Sequence, residues 1–393
     1  MTTRRTLLAG AAALAAAPLA TPLAASALAA PSRDAAGPSL NDLAKAKGMT
    51  FGSAVSAGVI AGPRRDPRYT ALLERDCGAL VCENETKWVA LRPDAQTFDF
   101  AAADTIAAYA GAHDMALRGH TLLWHHPDWF PQWLTNYDFG SRPATEAERV
   151  LSDHIRRVCA HYPQVFSWDV INETVDAQTG ALRDTSLSNA MGQRVLDVAF
   201  HTAREAAPHA QLVYNDYMSW EAGHEAHRAG VLRLLEGFKT RGVPIDALGV
   251  QSHIGSGNQD DSVGFDTAQE REWRKFLDEA TGMGLDIVIS EFDVHDKNLP
   301  ADPVVRDQAV ADLGRRYLDL MFSYPQTKTV MAWGMYDPYS WLQGRWPRED
   351  GGAKRPTPFD AEYRAKPLHG AIADAFRAAP MRTALDITPA NRN

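Results

Sequence analysis

Residues 168–173 read WDVINE, a short run that begins like a buried strand and ends on an amide and a carboxylate. Strands that enter a protein core do not usually end on a carboxylate, because burying its charge is costly unless it has a partner. The position of Glu173 therefore needs a structural reason, and the rest of the chain supplies one.

Seven other short apolar runs occur along the 393 residues. Amphipathic stretches with helical periodicity lie between most of them, such as residues 146–162 and 193–208. Strand runs that alternate with helical patterns predict βαβ units and a parallel sheet. Eight such units in roughly 340 residues predict an α/β fold, a single-domain (β/α)8 TIM barrel, rather than an open sheet with two domains. The eight predicted strands are 51–55, 78–84, 116–125, 166–173, 211–216, 247–253, 286–294 and 329–337.

Polar, imidazole or indole groups stand at the ends of seven of these runs. They are Glu83 and Asn84, His120 and Trp124, Asn172 and Glu173, Asn215 and Asp216, Gln251 and His253, Glu291 and Asp293, and Trp333 and Asp337. Any one of these groups taken alone could equally be a structural group whose hydrogen bonds are satisfied within the protein. Because the carboxyl ends of barrel strands converge on one face, where active sites are built, the whole set predicts a functional site there.

Glu173 and Glu291 are the two carboxylates best placed for catalysis. They follow the fourth and seventh predicted strands, whose ends face each other across a barrel mouth. Retaining hydrolysis of a glycosidic bond uses a proton donor and a carboxylate nucleophile about 5–5.5 Å apart. Two carboxylates that close cannot both ionise freely, so one pKa rises and that group becomes the acid.

The neighbours of each glutamate indicate its role. Asp293 lies two residues after Glu291 and points to the same side of an extended strand. His253 at the end of the adjacent strand could bridge both, holding Glu291 charged as a nucleophile requires. Glu173 has only the amide of Asn172 beside it, which suits a proton donor. The other groups, mostly amides and aromatics, suit sugars; a phosphate site would need Gly-rich loops and more arginine.

Seven motifs follow one another along the chain: ENETKW (83–88), GHTLLWH (119–125), WDVINE (168–173), NDY (215–217), QSH (251–253), SEFDV (290–294) and WGMYDPYSW (333–341). In this order they resemble the endo-β-1,4-xylanases of glycoside hydrolase family 10. PFDAEYRAKP (358–367) is similar to the family's usual ending, and the resemblance covers about residues 45–375. It implies a (β/α)8 barrel that cleaves internal β-1,4 bonds of xylan or xylo-oligosaccharides by double displacement. We expect no cofactor, no metal ion and a monomer.

The resemblance also implies roles for individual residues. Glu173 would be the acid/base and Glu291 the nucleophile, with Asn172 on the sugar 2-hydroxyl. His253 and Asp293 would surround the nucleophile, and Gln251 would lie near the acid/base. Asn215 is predicted to bind substrate through its amide. The sugars on the non-reducing side of the cut would contact Glu83, Asn84, Lys87, His120, Trp124, Trp333 and Trp341.

The chain departs from the family pattern at WHHPDWFPQW (124–133). Where the family commonly has a glutamine two residues after the first histidine, this chain has His126 and Pro127, and the loop is shorter. The difference bears on subsite affinity and substrate preference, with His126 as the residue that could replace the lost hydrogen bond. Packing in the core or in loops is the default for an unplaced indole and is predicted for Trp129, Trp133 and Trp346.

Three other classes of protein share parts of this pattern. A cellulase or mixed-linkage glucanase of the same barrel type shares the two glutamates, so the pair alone does not exclude it. A non-catalytic carbohydrate-binding barrel usually loses one of them. A metal-dependent barrel hydrolase typically carries His-x-His on its first strand, and residues 51–58 contain no histidine. Packing is the default for His125 and His126.

The first thirty residues resemble an export signal. Arg4 and Arg5 precede an alanine-rich apolar stretch, with A-x-A cleavage sites at 25–27 and 27–29. We predict a Tat-type signal peptide in residues 1–30, hence a periplasmic or secreted protein. A flexible leader at 31–45, the catalytic domain at 46–378 and a C-terminal tail at 379–393 would follow.

The net charge excludes some classes of binding partner, and the cysteine content indicates what stabilises the fold. The formal net charge of −9 argues against nucleic acid or an anionic membrane as a partner. After the signal, no segment reaches the run of about 18 apolar residues that spans a bilayer. Cys77 and Cys82 could pair or could remain buried thiols, and Cys159 has no evident partner. Stability must therefore rest mainly on a large apolar core.

Overall fold

The computed structural model describes residues 37–256 and 264–387, and within them lies a closed parallel barrel. Its strands are β1 (Thr50–Val55), β2 (Ala79–Cys82), β3 (Ala116–Trp124), β4 (Val165–Asn172), β5 (Gln211–Asp216), β6 (Ala247–Val250), β8 (Asp286–Asp296) and β9 (Thr327–Ala332), and a short strand β7 (His253–Ser256) lies outside the ring. Strands pair in chain order from β1 to β6, β6 pairs with β8, and β9 returns to β1. The predicted (β/α)8 barrel is confirmed.

A long helix follows each barrel strand. These helices are α3 (Pro67–Asp76), α5 (Ala101–Ala112), α7 (Pro143–His161), α9 (Arg194–Ala206), α10 (Glu225–Arg241), α11 (Thr267–Gly282), α12 (Pro303–Phe322) and α13 (Pro367–Ala378); shorter ones are α1 (Leu40–Lys45), α2 (Ala57–Ile60), α4 (Trp88–Leu91), α6 (Gln132–Thr135) and α8 (Ser186–Met191). Local sequence explains several starts. Asp66 and Asp302 cap α3 and α12 through their carboxylates, and a proline follows each in the first turn.

The apolar core is divided between the two faces of the barrel wall because side chains alternate along each strand. Leu80 and Trp168 belong to the large cluster between the strands and the helices, whereas Ala79 and Val81 belong to a separate cluster on the opposite, inner face. Trp168 packs against Gly119 on the neighbouring strand so closely that a Cβ there would lie 2.0 Å from the indole. The body of WDVINE is therefore barrel wall, and only its end reaches the mouth.

The domain ends differ from the prediction. Residues 40–45, predicted as part of a flexible leader, form α1, which Ser39 caps and whose Leu40 and Ala44 are buried. In the predicted tail, the Arg382 guanidinium donates to the carbonyl oxygens of Phe322 and Thr327 at 2.9 and 2.6 Å. Apolar burial and buried carbonyls thus anchor both segments. The predicted signal, residues 1–30, lies outside the described residues, as do 31–36 and 388–393.

The predicted strand at 247–253 is broken in the structure. Ser252 adopts a left-handed backbone conformation (φ 64°), so β6 ends at Val250 and β7 begins at His253. β7 then pairs with the extension of β8 beyond the barrel, with His253 opposite Asp293. The break thus places His253 beside β8, the strand that carries Glu291.

All three cysteines are buried and free, so Cys77 and Cys82 do not pair. Among the helices of the described residues, none has both the length and the apolar character needed to cross a membrane.

Candidate active site

An open cleft of about 640 Å³ lies at the carboxyl ends of the barrel strands. It is lined by Glu83, Asn84, Lys87, Val89, His120, Trp124, His126, Asp128, Trp129, Phe130, Asn172, Glu173, Tyr217, Gln251, His253, Glu291, Trp333, Trp341, Arg345 and Trp346. The predicted site residues are therefore brought together, except that Asn215 and Asp293 lie behind the cleft wall.

Glu173 stands one residue beyond β4, in a left-handed backbone conformation (φ 55°) that its N–H···O bond to Asn215 at 2.9 Å holds in place. One carboxyl oxygen accepts from Gln251 Nε2 at 2.8 Å and the other from Trp124 Nε1 at 2.9 Å. Burial raises the pKa of Glu173, and the charges of Asp216 and Glu291 raise it further, outweighing the two hydrogen bonds. Glu173 is therefore suited to carry a proton.

Glu291 lies on β8 and is only 5% exposed. Its Oε1 accepts from Asn215 Nδ2 at 2.8 Å, and its Oε2 lies 3.2 Å from His253 Nε2. Burial would raise its pKa, but the hydrogen bond from His253 and the positive charges of His120, His253 and Lys87 lower the pKa of Glu291 to about 2. Glu291 is consequently ionised when Glu173 is protonated.

His253 is held between two carboxylates. Its Nδ1 lies 2.9 Å from Asp293 Oδ1, and Trp341 Nε1 donates to the other oxygen of Asp293 at 2.8 Å. Burial lowers the pKa of His253, but Asp293 and Glu291 outweigh it and raise the pKa to about 10. The imidazolium thus fixes both the position and the charge of Glu291.

Buried amides connect the two glutamates. Asn215 Nδ2 donates to Glu291 and, at 2.9 Å, to Asn172 Oδ1, while Gln251 Nε2 donates to Glu173 and reaches Asn172 Oδ1 at 3.4 Å. Asn172 uses its oxygen in this network, so its NH2 group is the part left to donate into the cleft. Asn215 is fully buried, so it supports the floor and does not line the cleft as a predicted substrate-binding residue should.

The loop after β2 forms one polar wall of the cleft. Lys87 Nζ donates to Asn84 Oδ1 at 3.0 Å and lies 4.7 Å from the centre of the Trp124 ring. Burial lowers the pKa of Lys87, although Glu291, Glu83 and Glu173 oppose that effect. Burial also raises the pKa of Glu83. This wall offers donors and acceptors of the kind that sugar hydroxyls need.

His120 is positioned from inside the barrel. Its Nδ1 lies 2.8 Å from Asp169 Oδ2, and Arg118 donates to both oxygens of Asp169, one of them at 2.7 Å. The imidazole meets Trp333 edge-to-face at 5.5 Å. A buried ion pair in the barrel core therefore orients two residues of the cleft.

Trp129 and Trp346 combine the predicted packing with an exposure that was not predicted. Trp129 stacks on Trp124 with ring centres 5.1 Å apart, and Trp346 packs edge-to-face on Trp341 at 5.6 Å. Both are also partly exposed, at 43% and 39%, and line the cleft. Trp133 does pack, under Trp88, with its Nε1 donating to Arg92 O. The position of Trp129 and Trp346 in the sequence could have indicated this exposure, because both indoles lie on loops that follow barrel strands and carry other site residues.

His125 and His126 differ in their environments. His125 is buried between the hydroxyls of Thr174 and Thr185 at 2.8 and 3.0 Å, and burial lowers its pKa to about 4. The packing role predicted for His125 is confirmed. His126 lines the cleft and accepts from the Asp128 N–H at 3.2 Å. Nowhere in residues 37–256 or 264–387 do three or more His, Cys, Asp or Glu residues form a group that could hold a metal ion.

The fold and the site together define a glycoside hydrolase: a TIM barrel whose mouth holds a protonated and an ionised carboxyl group among amides and indoles. The sequence model of glycosyl hydrolase family 10 matches residues 39–375. The chain belongs to this family, and the predicted enzyme class is confirmed.

Comparison with known proteins gives the same assignment. The chain is 30% identical over 341 residues to endo-1,4-beta-xylanase A of Phanerodontia chrysosporium, covering 86% of this chain and 77% of that one. It is 31% identical to the exoglucanase XynX of Acetivibrio thermocellus over 82% of this chain but 29% of that one. The crystal structure of xylanase 10B from Thermotoga petrophila RKU-1 in complex with xylobiose superposes with a TM-score of 0.75 at 29% identity, covering 86% and 97% of the two chains.

Proposed function

We propose that this family 10 glycoside hydrolase is a retaining endo-1,4-β-xylanase, which cleaves internal bonds of xylan with Glu173 as acid/base and Glu291 as nucleophile. One observation carries the assignment of roles. The two carboxyl groups share a cleft, yet their pKa values move in opposite directions, up for Glu173 and down to about 2 for Glu291. Pairs of titratable groups whose environments separate their pKa values in this way identify the acid and the base.

In the first step, ionised Glu291 attacks the anomeric carbon while Glu173 transfers its proton to the departing glycosidic oxygen. A covalent glycosyl-enzyme forms, and the sugar chain beyond the cut leaves as an alcohol. Asn172, whose oxygen is engaged by Asn215 and Gln251, directs its NH2 group toward the sugar 2-hydroxyl. The hydrogen bonds from Asn215 and His253 hold Glu291 in line for this attack.

In the second step, Glu173 acts as a base. Formation of the ester removes the negative charge of Glu291, which is one of the causes that raise the pKa of Glu173. The pKa of Glu173 therefore falls, and its carboxylate accepts a proton from the water that attacks the anomeric carbon. Hydrolysis releases Glu291 and restores the starting charges with net retention of configuration.

Two substitutions test these roles. Glu173→Ala should abolish hydrolysis of xylan but spare the first step with an aryl xylobioside whose leaving group needs no proton. Azide should then rescue turnover and give a product of retained configuration. Glu291→Ala should stop both substrates. Near-wild-type activity of Glu291→Ala, or an inverted product, would contradict the proposal.

A glucanase is the second candidate, and the relationship to an exoglucanase is the observation in its favour. Glucans carry a hydroxymethyl group that xylan lacks. Glu83, Lys87 and Trp333 line the cleft, and a wall packed tightly by them would clash with that group, which would favour xylan. Turnover of an aryl xylobioside and an aryl cellobioside should be compared, and a preference for the cellobioside would support the glucanase.

We also propose that the enzyme is exported by the Tat-type signal predicted in residues 1–30 and acts as a monomer in the periplasm or outside the cell. The arginine pair and the A-x-A sites support this localisation. The substrate, a plant polysaccharide too large to enter a cell, is consistent with it.

A further inference from the structure

The rim of the cleft carries a cation that the proposed mechanism does not use. Arg345 follows β9, lines the cleft and is exposed. Lys87 donates to Asn84, and His253 lies between Glu291 and Asp293, so those two cations already have partners. Within the described residues, by contrast, no carboxylate lies at ion-pair distance from Arg345. Its guanidinium is thus available to a ligand in the cleft.

One exposed indole lies beside this cation, and a second lines the same cleft. The Arg345 guanidinium lies 5.8 Å from the centre of the Trp129 ring, which also stacks on Trp124 with ring centres 5.1 Å apart. Trp346, the next residue along the chain, lines the cleft as well. Exposed indoles on a polar rim offer apolar faces on which sugar rings stack. A guanidinium binds a carboxylate through two parallel hydrogen bonds, a geometry that a neutral hydroxyl does not match. Together they form a site suited to a sugar that carries a carboxylate.

The backbone around Arg345 is held in a defined shape. Lys354 donates its ammonium group to the Arg345 carbonyl oxygen, and the Arg345 N–H donates to Leu342 O at 3.1 Å. Trp346 has a left-handed backbone conformation (φ 43°), which is unfavourable for a bulky residue and is found where a side chain must be aimed. Its indole packs edge-to-face on Trp341 at 5.6 Å. The backbone that carries Arg345 and the indole of Trp346 are therefore held by contacts within the protein itself.

We propose that Arg345, which lines the cleft together with Trp129 and Trp346, binds the carboxylate of uronic acid substituents on xylan and makes the enzyme prefer acidic xylan. The inference rests on the proposed xylanase function. The main chain would occupy the floor, where Glu173 and Glu291 lie, so a branch would extend toward the rim. Without Arg345, the cleft carboxylates Asp128 and Glu291 would repel an anionic branch.

The test compares glucuronoxylan with the same polymer after reduction of its carboxyl groups to alcohols. This pair keeps the chain and the size of the branch and changes only the charge. We expect kcat/KM to be higher on the acidic polymer. Arg345→Ala should lower the acidic-to-neutral ratio about tenfold, as expected for one charge-assisted contact. Arg345→Lys should lower it less, since lysine keeps the charge without the bidentate geometry.

Two further variants sharpen the test. Asp128→Asn removes an exposed negative charge from the same rim and should raise the acidic-to-neutral ratio. Arg271→Ala removes an exposed arginine from α11, outside the cleft, and should leave the ratio unchanged. Added salt should reduce the wild-type ratio, because exposed charges are screened.

Each outcome decides between explanations. An equal loss on both polymers in Arg345→Ala would overturn the proposal and leave Arg345 as a brace between the two rims. A wild-type enzyme that does not prefer the acidic polymer would overturn it as well. If the wild type cleaves neither polymer, the proposed xylanase function has failed instead, so the two failures are distinguishable.

Discussion

Replacing His253 with asparagine should move the pH range in which the nucleophile works. The pKa of Glu291 lies at about 2 instead of its ordinary 4.5, and the hydrogen bond from His253 is the first of the contributions that lower it. This lowering corresponds to about 3 kcal/mol in favour of the ionised form. Asparagine keeps a polar group beside Asp293 but removes the positive charge. Burial, which raises the pKa of Glu291, would then be opposed mainly by Lys87 and His120.

The sign of the effect follows from the role of Glu291. The carboxylate attacks only when ionised, so activity falls as the pH drops through its pKa. A lowered pKa keeps the wild type active in acid, and loss of a neighbouring opposite charge should raise the acid limb by about 1–3 pH units. The best assay is kcat/KM against pH for an aryl xylobioside with a very good leaving group. Its first step needs no proton, so the acid limb reports Glu291.

A matched control separates charge from general damage. His209→Asn replaces a histidine whose ring contacts Val165 O at the opposite end of the barrel, and the acid limb should stay in place. Asp293→Asn should act like His253→Asn but more weakly, because Asp293 helps to keep the imidazole protonated. If His253→Asn lowered kcat while leaving the acid limb unmoved, His253 would act by position alone and the electrostatic reasoning would be refuted.

Three other changes have defined outcomes. Trp124→Phe removes a donor to Glu173 that lowers its pKa, so the basic limb of the xylan profile should rise, by up to about 1 pH unit. Arg118→Met leaves the buried Asp169 with only the His120 imidazole as a partner and should reduce the free energy of unfolding by about 3–5 kcal/mol, measured by urea titration; an unchanged value would contradict the role of the pair. Replacing Arg4 and Arg5 with lysine should reduce the amount of enzyme that a Tat-competent host exports into the medium, and undiminished export would exclude the Tat route.

The strands and most of the site were predictable because they depend on local pattern. Each of the eight predicted runs overlaps one barrel strand, and the stretches 146–162 and 193–208 match α7 and α9 to within three residues at each end. In a parallel barrel, polar residues at the carboxyl end of a buried strand lie at the barrel mouth, where all the strands end. The same logic placed Glu173 and Glu291 in one cleft although 118 positions separate them.

The errors concern features that depend on distant partners. Asn215 has the amide that a sugar site needs, but Asn172 and Glu291 enclose it. The exposure of Trp129 depends on a loop after β3 whose neighbours, including Arg345, come from after β9. The order in residues 40–45 depends on burial against elements far along the chain. No local pattern records such neighbours.

The sequence by itself determined the alternation of strands and helices, the loading of polar groups at one end of the strands, and the pair of glutamates, because strand burial and parallel pairing act on short segments. The neighbours in sequence also indicated which glutamate carries the proton, but only the tertiary structure supplied the burial and charges that separate the two pKa values. Ser252 breaks the sixth strand and brings His253 onto the extension of β8, where its positive charge stabilises the ionised form of Glu291. Glu173, at the end of WDVINE, gains burial and two negative neighbours instead. A pKa depends on the charges and solvent around a group in space, and those are set only when the barrel closes.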